Sequence, residues 1–331
     1  MAGPMTSRTL VERALQGKST DRPPIVMHLA PYAARLQQQP YRQLAGDPTL
    51  QANAQQGAQR LFGCDGILTP LDTTLEAEAC GCLVEWPDDD PVVTGHPFAT
   101  HGPVTVDLDG IERRGRLAVA LEATRRLQQV IGRDVAVVPA VTGPVTLAGH
   151  LIGPGLTADL ARNPERGYQA IEAAVRVTVH MAKLYLEAGG GQLLVADPLL
   201  GSLDPAYDPQ IAGVLRTLWN VADFYDARAL VWTTVGDADR PSQLLGLGAG
   251  GLAIEGDGPL GGAAAQAEAK DQCLAAGLPP HLFTSPLGEI PAAVAEWQNR
   301  VGPPRSLYVC PRVPRAAAPE SVHEVVRLLR A

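Results

Sequence analysis

Short apolar runs rich in β-branched residues recur along the 331-residue chain, each separated from the next by a longer stretch with helical spacing. That alternation is the pattern of strand and helix units wound around a parallel sheet. Eight runs stand out: "IVMHLA" (25–30), "DGILTP" (65–70), "VAVVPAVTG" (135–143), "QLLVAD" (192–197), "ALVWTTV" (229–235), "GLAIEGD" (251–257), "LFTSPL" (282–287) and "SLYVCP" (306–311). Eight strands, each followed by a helix, predict a closed (β/α)8 TIM barrel occupying residues 1–331 as one domain. Residues 1–24 read as a helical N-terminal cover, and "VTVDLD" (104–109) as an excursion. A doubly wound open sheet is the alternative.

The helices carry their own signals. Ile171, Val175, Val179, Ala182 and Leu186 hold one face, and Gly189, Gly190 and Gly191 then supply a left-handed stop. Asp208 before Pro209 reads as a cap with a first-turn proline. Leu117, Leu121, Thr124, Leu127 and Ile131 form another stripe, closed by Gly132. After Pro319 the last helix is expected to pack through Val322, Val325, Val326 and Leu329.

Composition narrows the function. Net charge is −8, and no run of lysine and arginine is long enough to neutralise a phosphate backbone, which excludes nucleic acid and anionic membranes as expected partners. The first thirty residues hold the charged "RTLVERALQGKSTDR" and no export segment, and no stretch reaches the roughly 18 apolar residues of a membrane span. A cytoplasmic protein is expected. Its five cysteines then read as reduced thiols.

In a barrel of this kind chemistry gathers at the carboxyl ends of the strands. The rule selects His28, Asp72, Thr142, Gly143, Asp197, Thr233, Thr234, Glu255, Asp257, Ser285 and Cys310. Several are acidic, and clustered buried carboxylates gain proton affinity, which suits general acid and base work. Each also has an ordinary role open to it: a carboxylate can cap a helix, threonine suits a strand, and Cys310 can be a small buried hydrophobe. In "ACGCLVEW", Cys80 and Cys82 alternate faces if extended, and no second pair completes four zinc ligands. The glycines of "GGLAIEGDGPLGG" do not follow a first strand as a dinucleotide site requires.

Five segments resemble the uroporphyrinogen decarboxylase superfamily, a barrel family that also contains the corrinoid protein to coenzyme M methyltransferases. They are "ALQGKSTDRPPIV", "FGCDGILTPLDTTLEAEACGCLVEW", "VTGPVTLAGHLIG", "LLVADPLLGSLDP" and "APESVHEVVRLLR", and the resemblance runs from about residue 8 to 330. Where the decarboxylases carry an arginine-containing stretch for substrate carboxylates, this chain has "MHLAPYAARL", with Arg35 its one cation. A porphyrinogen with many carboxylates would leave most of its charge unpaired there. Asp72 falls near the decarboxylases' key aspartate. The methyltransferase branch binds zinc through His-x-Cys at the fifth strand and a cysteine after the eighth. Here those positions are Thr233 and Val235, with Cys310 beside the third.

The resemblance thus implies a methyltransferase-like enzyme of one-carbon metabolism that needs no zinc. It would use a cobalamin on a partner corrinoid protein and a small-molecule substrate, and a homodimer is the assembly allowed for. Asp72, Asp197 and His28 are its expected catalytic residues, with His150, Thr233, Glu255, Thr142 and Glu76 around the substrate. A decarboxylase of a smaller acid is the second reading, and a non-catalytic barrel presenting cobalamin or a tetrapyrrole the third.

Overall fold

The computed structural model describes residues 5–100, 102–189, 191–256, 260–302 and 306–331. Its centre is a parallel sheet of nine short segments. Seven of the eight barrel strands are β1 (Ile25–Met27), β2 (Gly66–Leu68), β4 (Gln192–Ala196), β5 (Arg228–Thr234), β6 (Gly251–Glu255), β7 (Cys273–Gly277) and β8 (Leu307–Cys310). The remaining one, β3, comes in two pieces, Ala136–Val138 and Ala140–Thr142. The first piece pairs with β2 and the second with β4, so both edges of the sheet are the same strand.

Pro139 makes the break, because it has no N–H to give a ladder. Its carbonyl still accepts from Leu194 N at 2.8 Å while the Val138 carbonyl accepts from Thr69 N at 3.0 Å. The ring therefore closes through one residue into a (β/α) barrel. The open-sheet alternative is excluded by that closure.

The seventh strand lies elsewhere than expected. "LFTSPL" is not a strand: Leu282 and Phe283 are buried from the short helix His281–Thr284, and Ser285 caps its end. The strand is "CLAAG", whose small residues carry no β-branched mark. Small size is needed there, since a Cβ on Gly277 would lie 2.7 Å from the Glu255 Cα.

Two layers of core follow from strand alternation. Val26, Leu68, Leu194, Leu230, Leu307 and Val309 fill the bore, joined from below by Val11, Ala14 and Leu15 of the helix Ser7–Leu15. That helix plugs the amino end, as a cover should. Outward-facing residues meet the helices, including Leu117–Ile131, Pro164–Glu187 and Pro319–Arg330, whose expected stripes are mostly buried, and Asp208–Phe224. Gly189 takes φ +101 after the second of these, while Gly190 lies outside the described residues. Asp208 does not cap its helix. Its carboxylate instead accepts from Arg240 Nη2 at 2.9 Å, a charged partner that outcompetes a backbone N–H. Residues 104–109 form neither helix nor strand, and the extra pairing is a hairpin, Leu83–Glu85 with Val92–Gly95. No described helix is long and apolar enough to cross a membrane.

Candidate active site

With the amino end plugged, the barrel opens at the carboxyl ends of its strands. A cavity of about 360 Å³ lies there, and His28, Asp72 and Glu255 are on its wall with Tyr41, Trp232 and Arg312. Trp232 and Leu71 rest on the apolar bore and form the floor.

His28 continues the β1 ladder, its N donating to the Cys310 carbonyl at 2.8 Å. The ring is 5% exposed, with Nδ1 3.3 Å from the Pro311 carbonyl. A carbonyl can only accept, so Nδ1 carries the proton and Nε2 is left as a lone pair. Nε2 is buried and has no hydrogen-bond partner. Burial pushes the imidazole pKa down to about 4, so the ring is neutral at physiological pH.

Asp72 follows β2 and is locked in place. One oxygen accepts from Thr74 N at 2.8 Å and Thr74 Oγ1 at 2.6 Å, and the other takes the Arg116 guanidinium. Arg116 also donates to Glu78 at 2.7 Å and lies over the Trp86 ring, 4.8 Å from its centroid. Sequence reasoning missed Arg116. It stands 44 residues from Asp72, and nothing local marks it.

Glu255 ends β6 half-buried, and its carboxylate makes no hydrogen bond or ion pair with a described residue. Burial raises its pKa, against the field of Arg312. Arg312 reaches Asp90 at 3.4 Å, and Arg315 holds the same aspartate at 2.9 Å.

The other expected residues stand off this wall. Asp197 is buried at the N-terminus of the helix Pro144–Ile152, accepting from Val145 N at 3.0 Å, Thr146 N at 2.8 Å and Thr146 Oγ1 at 2.7 Å. It is a helix cap donated from another strand. Burial raises its pKa to about 6. Thr233 faces away from the bore: its hydroxyl donates to the Asp197 carbonyl at 2.8 Å and accepts from Gly201 N at 3.0 Å. Strand alternation explains this, since Leu230 and Trp232 point inward. Glu76, raised to about 7 by burial, accepts from Thr142 N at 3.1 Å, so the pair forms a buried clasp behind the site. His150 holds its Nε2 buried without a partner, its pKa lowered by burial to about 4, while its carbonyl takes His96 Nδ1 at 2.8 Å. Asp257 lies outside the described residues.

Zinc is poorly matched by these donors. Cys310 is fully buried with its thiol pKa raised by burial, and Thr233 and Val235 offer neither imidazole nor thiolate. Among the described residues no three His, Cys, Asp or Glu side chains are grouped to hold a metal ion.

The family profile of uroporphyrinogen decarboxylase (URO-D) matches residues 6–211. The chain belongs to that family. Among curated relatives, this URO-D chain is 31% identical over 161 residues to a methylated-thiol–coenzyme M methyltransferase of Methanosarcina mazei, covering 47% of this chain and 43% of the relative. It is 25% identical over 204 residues to the methylcobamide:CoM methyltransferase MtaA of Methanosarcina barkeri, covering 59% of each. The matched stretch thus spans about half the length of these relatives. A solved structure of a methyltransferase from Methanosarcina mazei superposes with a TM-score of 0.81 at 22% identity, covering 99% of both chains. That likeness shows the fold.

Proposed function

We propose that this URO-D family chain is a methyltransferase of one-carbon and corrinoid metabolism. It moves a methyl group between a cobalamin carried by a partner protein and a small compound, without zinc. The observation that carries the reading is the cavity at the strand ends, lined by both His28, whose Nε2 is buried without a partner, and Glu255, which is unpaired among the described residues. The names of the two curated relatives, one a methylcobamide and one a methylated-thiol methyltransferase, support it. Five free cysteines suit a reducing compartment such as the cytoplasm.

A cavity of about 360 Å³ suits a small ligand and not a corrin macrocycle. The corrinoid therefore meets the small compound at the rim. On this reading His28 and Glu255 orient the small compound with its methyl toward the mouth, and proximity supplies much of the rate. Asp72, fixed by Arg116 and Thr74, is a rigid wall that keeps this geometry. Asp197 and Thr233 act through the backbone they hold.

The test uses the protein purified without added metal. Methylcobalamin is mixed in and its visible spectrum followed on adding thiol and amine acceptors. Demethylation in the presence of protein, with no stoichiometric zinc by elemental analysis, is expected. An unchanged spectrum with every acceptor rejects the reaction, and a stoichiometric zinc rejects its metal-free form.

A further inference from the structure

The cavity is unusual in what it leaves unsatisfied. Among the described residues, His28 Nε2 is a buried lone pair with no donor, and the Glu255 carboxylate has no cationic partner within bonding reach. Both are acceptors. A buried acceptor without a donor costs free energy until a ligand supplies one. The guanidiniums nearby are already occupied by acids: Arg116 by Asp72 and Glu78, Arg315 by Asp89 and Asp90, and Arg312 by Asp90. Arg312 is the one cation among the described lining residues, and an anionic ligand would meet it beside three carboxylates, Glu255, Asp72 and Asp90.

The remaining wall is apolar or aromatic. Pro31, Pro91, Pro198 and Pro280 line it, with the rings of Trp232 and Tyr41. Such a surface takes up methyl groups by burial, and aromatic rings attract a cation held against them.

We infer that the small compound bound here is an N-methylated ammonium, a protonated secondary or tertiary amine. Its N–H donates to His28 Nε2, its charge faces Glu255, one methyl points to the mouth, and the rest of its apolar surface lies on the prolines and Trp232. A neutral His28 fits this arrangement, because a charged imidazolium would donate where the ligand also donates and would repel it. The inference rests on this cavity being the substrate site of the proposed methyltransferase.

The test is calorimetric titration of the metal-free protein at neutral pH, without cobalamin, with four probes: N,N-dimethylethanolamine, choline, dimethylbutanol as the uncharged carbon isostere of choline, and mercaptoethanesulfonate as an anion. Dimethylethanolamine is expected to bind tightest. Choline, lacking an N–H, should be weaker by about tenfold, and the uncharged and anionic probes weaker again by about tenfold or more. Glu255→Gln should lower amine affinity by about tenfold and erase the preference for choline over its isostere. Equal or tighter binding of the isostere or the sulfonate to the unmodified protein overturns the inference, whether or not the variant folds. So does a folded Glu255→Gln protein that keeps its affinity for the amine. Amine binding without methylcobalamin turnover would leave the ligand assignment standing and remove the reaction. Turnover with a thiol and no amine binding would do the reverse.

Discussion

Arg116 shows how a residue outside any motif can set the site. Its guanidinium joins Asp72, Glu78 and Thr74, and all are partly or largely withdrawn from water. Removing one partner of a buried ion pair strands the other, which costs about 3–5 kcal/mol. Arg116→Leu is therefore expected to lower stability in urea by that amount, and a loss below about 1 kcal/mol would show that the network holds nothing. Three wall residues, His28, Asp72 and Glu255, were legible in the sequence because each closely follows or ends a strand. Arg116 was not, since pairing across a fold leaves no trace in local spacing. Thr233 was misread for a related reason. The run "ALVWTTV" announces a strand but not its phase, and the phase turns Trp232 inward and Thr233 away.

At the level of elements, the strand runs at 25–30, 65–70, 192–197, 229–235, 251–257 and 306–311 were readable from apolar content. The seventh was hidden because "CLAAG" is built of residues that any element accepts. The third was read whole, although Pro139 divides it between two neighbours. Joining of elements is likewise invisible locally, as the cap on the helix Pro144–Ile152 demonstrates. Its first two free N–H groups after Pro144 are satisfied by Asp197, 52 and 51 residues away. A Cβ on Gly143 would fall 2.1 Å from the Asp197 Cβ, so the approach requires glycine. Asp197→Ala should cost roughly 1–2 kcal/mol as a lost cap, measured by urea unfolding. Gly143→Ala, forced against the Asp197 side chain at its Cβ and carboxylate, should cost more than Asp197→Ala, and the opposite ranking would mean that the helix moves freely away from β4.

Closing the barrel buries four titratable groups around the site, and they form two opposed pairs. Burial holds Glu76 at about 7 and Asp197 at about 6, above the ordinary 4.5 and 3.8. It holds His28 and His150 at about 4, below the ordinary 6.5. The carboxyls keep protons in the folded chain that the unfolded chain has released, so their contribution is full at low pH and lost as pH rises through 6 and 7. The histidines run the other way, since the unfolded chain protonates them first: their contribution is full above 6.5 and lost as pH falls through 4. Each swing is on the order of 3 kcal/mol. Between pH 4.5 and 6 the two slopes oppose, and thermal stability should change little. Above 6.5 Glu76 alone among the four still titrates, and the melting temperature should begin to fall. Replacing both histidines by glutamine removes the rising arm, so that variant should lose stability steadily from pH 4.5 to 7. Glu76→Gln removes about half of the falling arm and should gain stability as pH rises from 4.5 to 6.5. Melting temperatures taken at half-unit intervals distinguish the three profiles, and a double-histidine variant that runs parallel to the unmodified protein would show that those rings are not held neutral by the fold.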